Sequence, residues 1–117
     1  MNDSKSTLAN LKNKVDLFLK ERDWHQFHDP RTDVMGLSVE VGELMELFLY
    51  YKDSHEVVTE KREQVEDELA DVFYWVLCFA NTTGIDLAQA MEKKMQKNAL
   101  KYPVEKAKGS RKKYTDL

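Results

Sequence analysis

A chain of 117 residues, 42% of them hydrophobic, has the length of one domain with a modest core, and at this size excess apolar surface favours self-association. Acidic residues outnumber basic ones by 21 to 18, which removes the electrostatic reason for binding a nucleic-acid polymer or an anionic membrane. The longest uncharged run, 72–85, is 14 residues, short of the roughly 20 in a membrane span; residues 1–14 have no apolar leader pattern, and a lone Cys78 excludes an internal disulfide, so a cytoplasmic protein is expected.

Breakers are few: proline at 30 and 103, glycine at 36, 42, 84 and 109. The spacing predicts four helices. The first spans about 7–22, with Leu8, Leu11, Val15, Phe18 and Leu19 in one stripe. A loop through Trp24, His25, His28 and Pro30 follows, and Asp33 reads as the N-cap of a second helix reaching about Tyr51. The third occupies about 59–83 and stops at Gly84, a residue suited to a helix C-terminus; Cys78 within it reads as a small buried hydrophobe. Asp86 with Gln89 resembles a capping box for the fourth, which ends before Pro103. Residues 1–103 therefore form a helical domain, and 104–117 a basic tail expected to order only against something else. No strand alternation occurs, so the fold class is all-α, a four-helix bundle.

Two carboxylate pairs border apolar stripes. On a helical wheel Glu40 falls between Leu44 and Leu47 with Glu43 beside it; Glu68 falls between Phe79 and Trp75 with Asp71 one turn along. Glutamates on helices are ordinarily solvated, as Glu60, Glu63, Glu66 and Glu92 are expected to be. A carboxylate turned toward a core instead costs several kcal/mol unless a cation or hydrogen bonds compensate it. Two i, i+3 pairs facing one another would surround a point between helices with oxygen ligands, which suits Mg²⁺, with Mn²⁺ as a substitute. A di-iron centre would need Glu-x-x-His pairs, and His25, His28 and His55 all fall in expected loops. Gly42, between the two glutamates of its helix, allows close approach of a ligand or a neighbouring helix.

The segments Glu40-Val41-Gly42-Glu43-Leu44 and Glu68-Leu69-Ala70-Asp71-Val72 resemble the E-x-x-E and E-x-x-D motifs of the MazG-type all-α nucleoside triphosphate pyrophosphohydrolases. Glu21-Arg22-Asp23-Trp24, Gln26-Phe27-His28, Lys101-Tyr102-Pro103 and Lys113-Tyr114-Thr115-Asp116-Leu117 are similar to the dCTP pyrophosphatase-like branch. Val39 departs from the wider family, which has a glutamate there. The resemblance implies Mg²⁺-dependent hydrolysis of a nucleoside triphosphate to monophosphate and pyrophosphate, dCTP or a modified analogue foremost. It implies Glu40, Glu43, Glu68 and Asp71 as catalytic metal ligands and Trp24, His28, Tyr50 and Trp75 at the base. Lys94, Asn98 and Lys101, one stripe of the fourth helix, would contact phosphates, and Arg111, Lys112 and Lys113 could close over them. A dimer or tetramer with shared sites is implied too, and Val39, Met45 and Leu49, off the main stripe of the second helix, agree with it. Two alternatives stay open: the same fold acting on dATP, dUTP or another nucleotide, and a non-catalytic helical interaction module.

Overall fold

The computed structural model describes all residues, 1–117, as six α-helices and two short 3₁₀ turns, with no strand. Helix α1 (Leu8–Glu21) opens on a reciprocal cap: the Asn10 N–H donates to Thr7 Oγ1 (3.1 Å) and the Thr7 N–H to Asn10 Oδ1 (2.9 Å). A 3₁₀ turn, His25–Phe27, leads into α2 (Pro30–Glu46). Its N-cap is Asp29, whose carboxylate accepts from the Thr32 N–H at 2.7 Å, with Pro30 in the first helical position. Asp33 is therefore not the cap expected of it; it lies inside the helix, fully buried. The far end of α2 is also shorter than expected, because the chain leaves the helix at Leu47 and turns through Tyr50 at φ 70°.

The expected third helix, about 59–83, starts slightly later, as α4 (Arg62–Thr83), and a helix not anticipated from the sequence, α3 (Ser54–Glu60), precedes it across a break at Lys61. No proline or glycine marks this break. Collinear helices cannot pack on one another, and the bend lets α3 fold against α4 and bury Val57 completely. Gly84 closes α4 at φ 73°, donating its N–H to the Ala80 carbonyl, a conformation that favours glycine. Helix α4 is the axis of the fold, packing against α2, α1 and α3. Leu19, Val57, Leu77, Cys78 and Ala80 form the buried core, and the Asn81 side-chain amide ties α4 to α1 by donating to the Lys12 carbonyl at 3.0 Å. Burial pushes the Cys78 thiol up to about 11, so it packs as an inert hydrophobe.

The chain divides into two compact units, Met1–Gly84 and Ile85–Leu117. The second holds α5 (Leu87–Lys101), capped by Asp86 accepting from the Gln89 N–H at 2.9 Å, then α6 (Val104–Ala107) and a 3₁₀ turn, Tyr114–Asp116. The basic C-terminal stretch takes its order from the end of α5: Tyr114 meets the Tyr102 ring edge-on at 5.9 Å, and Lys101 Nζ stands 4.9 Å from the Tyr114 ring centre. On α2, Met35, Val39 and Met45 are exposed, as is Leu49 in the turn beyond it, and a Cβ built on Gly42 would meet nothing within 4 Å. No helix is long and apolar enough to cross a membrane.

Candidate metal centre and aromatic pocket

Packing of α2 on α4 brings Glu40 opposite Glu68 and Asp71, and one carboxylate oxygen from each lies within 4.8 Å of the other two. Glu40 Oε2 and Glu68 Oε2 are shut off from solvent with no hydrogen-bond partner. Burial, then the neighbouring Glu43, and then Asp71 and Glu68, push the Glu40 carboxyl up from 4.5 to about 7. Burial raises Glu68 as well, followed by the charges of Glu43 and Asp71. Orphaned buried oxygens cost free energy, and like charges at this separation repel. Neither of the two orphaned oxygens is bonded by a Lys, Arg or His. An all-oxygen set short of positive charge fits a hard divalent cation. Glu43 is exposed and adds its charge, but it places no oxygen in the three-residue cluster.

Glu40 and Asp71 also line a cavity of about 540 Å³, a volume suited to a small organic ligand. Its walls are aromatic. Phe18 meets Trp24 edge-on at 5.7 Å and Tyr74 at 6.2 Å; Tyr74 meets Trp75 edge-on at 5.4 Å; His28 stacks on Trp75 at 5.3 Å with 24° between planes. Lys14 and Val15 of α1 complete the lining. Trp75 can lie against α2 only because residue 36 is glycine: a Cβ there would sit 2.5 Å from Trp75 Cε2, well inside contact distance. His28 in turn is held by Asp33, since its Nδ1 and Asp33 Oδ1 are 2.7 Å apart.

Of the residues singled out from sequence, Glu40, Asp71, Trp24, His28 and Trp75 share one cavity, with Glu68 beside it in the oxygen cluster. Tyr50 does not join them; it is 101% exposed on the turn after α2. Lys94, Asn98 and Lys101 stand on α5, and Arg111, Lys112 and Lys113 beyond it, all in the second unit. Phe18, Tyr74, Gly36 and Asp33 were not anticipated. Phe18 was visible only as part of a core stripe, and Tyr74 only as the neighbour of Trp75.

Sequence comparison matches residues 35–117 to the MazG-like family. The chain is 39% identical over 115 residues to dCTP pyrophosphatase 1 of Mus musculus, covering 95% of this chain and 68% of that protein. It is 36% identical to dCTP pyrophosphatase 1 of Homo sapiens, with the same coverage. Among solved structures, a pyrophosphatase from Archaeoglobus fulgidus superposes with a TM-score of 0.80 at 30% identity, covering 88% of this chain and 98% of the other.

Proposed function

The chain belongs to the MazG-like family, in its dCTP pyrophosphatase-like branch, and is a nucleoside triphosphate pyrophosphohydrolase; from that premise we propose that its substrate is dCTP or a modified cytosine analogue, hydrolysed in a Mg²⁺-dependent reaction. The observation that carries this reading is the shared lining: two carboxylates of an oxygen cluster with orphaned atoms open onto an aromatic cavity of nucleoside size.

Glu40, Glu68 and Asp71 would hold the cation, with Glu43 adding its charge. When bound, a divalent cation supplies neutralisation of the triphosphate and polarisation of its oxygens. The protein's own share is positioning. Trp24 and Trp75 offer flat faces to the base, His28 adds a polar edge, and a carboxylate orients the water that attacks the α-phosphorus while pyrophosphate leaves. Lys94, Asn98 and Lys101 are assigned to the phosphates on the resemblance alone. Tyr50 is assigned to the base on the resemblance alone, within a dimer or tetramer whose chains share sites. The exposed Met35, Val39, Met45 and Leu49 around Gly42 support self-association through α2. The composition supports placing the enzyme in the cytoplasm.

A panel of canonical and modified triphosphates, assayed for pyrophosphate release with and without Mg²⁺, tests the assignment. dCTP or a 5-modified analogue is expected to give the highest kcat/KM, and Asp71→Ala or Glu43→Ala to abolish turnover with the helical content intact. Full turnover in both variants would sink the catalytic assignment. Absence of any thermal stabilisation by Mg²⁺ with nucleotide would favour a non-catalytic module instead.

A further inference from the structure

Asp33 sits two turns before Glu40 on α2 and is 0% exposed. Both its carboxylate oxygens are engaged. The His28 imidazole Nδ1 is 2.7 Å from Oδ1, and the Thr82 hydroxyl donates to Oδ2 at 2.7 Å, so one buried group joins the loop before α2 to the end of α4. A carboxylate only accepts, which requires the hydrogen of this contact to be on His28 Nδ1. The His28 side chain is only 9% exposed and stacks on Trp75, so the ring has little freedom to turn. The other ring nitrogen, Nε2, has no partner within the chain, and the residue lines the cavity.

We propose that Asp33 is a positioning residue: it locks His28 through Nδ1 against Trp75 and so delivers Nε2 to the cavity as a fixed polar contact for the hydrogen-bonding edge of the ligand's base. The inference rests on reading the cavity as the nucleotide pocket. Asp33 touches no substrate; it acts through His28. The cap of α2 is already supplied by Asp29, so Asp33 is not needed there. Without Asp33 the imidazole can turn and exchange tautomers, and a site with one mobile contact loses discrimination between bases more than it loses chemistry at the phosphates.

Two measurements test this. Nitrogen-15 NMR of the imidazoles, with His28 identified by its loss in His28→Gln, should show the proton on Nδ1 in the wild type. In Asp33→Asn the two tautomers should exchange. In steady-state assays Asp33→Asn should raise KM for dCTP about tenfold and cut the preference for dCTP over dTTP about tenfold, with kcat within about twofold. Should that variant fail to fold, Thr82→Val removes one of the carboxylate's two partners and should move selectivity in the same direction by less. A wild-type His28 carrying its proton on Nε2 overturns the proposal. So does a variant whose kcat falls equally for every base with selectivity unchanged, the signature of a purely structural role. A wild type that hydrolyses no triphosphate overturns the nucleotide reading alone, and the clamp then stands or falls on the spectrum.

Discussion

Two carboxylates on α2, seven positions apart, solve burial in opposite ways. Asp33 is deeper, yet both its oxygens are matched by donors from His28 and Thr82. Glu40 is only half buried, yet one of its oxygens meets neither water nor donor, and three more carboxyl groups crowd it. The protein has completed one arrangement from its own side chains and left the other incomplete. The contrast separates a charge that holds architecture in place from one that awaits something from outside.

The largest effect should come from the incomplete group. Glu68→Gln keeps the shape of the side chain but removes a ligand charge, and turnover should fall by more than the roughly 10–100-fold that loss of an outer partner of a metal site costs. A pyrophosphate-release assay at several Mg²⁺ concentrations reads it.

The same carboxylate-to-amide change should have opposite signs at the two places on α2. Asp33→Asn should destabilise by about 1–3 kcal/mol, because buried donors lose their match. Glu40→Gln, measured without divalent cations above pH 7, should stabilise or be neutral, since it removes a repelled charge. Urea melts of both variants in chelator would show whether the contrast holds, and a loss of stability in Glu40→Gln would break it.

Gly36→Ala probes the wall between them. The added methyl needs space that Trp75 occupies, so a cost of about 1–3 kcal/mol and a shifted tryptophan emission are expected.

pH acts on the incomplete arrangement as well. Glu40 has a folded-state value of about 7 against an ordinary 4.5, so it is protonated in both states below 4.5 and carries no penalty there. Between 4.5 and 7 the folded state holds the proton more tightly, and stability falls as pH rises through that window. Glu68, also raised, acts in the same direction. Melting temperatures in chelator should show this decline, and saturating Mg²⁺ should flatten it, because cation and proton compete for the same oxygens.

How much of this was legible in the sequence depends on the range over which each signal acts. The helical period alone put Glu40 and Glu68 beside apolar stripes, and local rules found the ends of helices at Thr7, Gly84 and Asp86. Asp33 was misread because an aspartate ahead of an apolar run looks like a cap, although Asp29 followed by Pro30 gives the stronger signal. The break at Lys61 has no proline or glycine to mark it, and it shows only in three dimensions, where α3 packs back on α4. Gly36 owes its importance to Trp75, a partner distant in sequence, and no reading of neighbours along the chain could supply that. The aromatic pocket was named in part through resemblance, while Phe18 and Tyr74 needed three dimensions.

Gly42 adds a consequence of a different kind. A glycine inside a helix weakens it by about 1 kcal/mol relative to alanine, and within this chain nothing occupies the space its missing side chain leaves. If α2 is where copies of the chain meet, that weakness belongs to the isolated chain and is offset only on association. Resistance to heat then becomes a property of how many molecules are present, rising with dilution reversed, and the enzyme is sturdiest where it is most abundant.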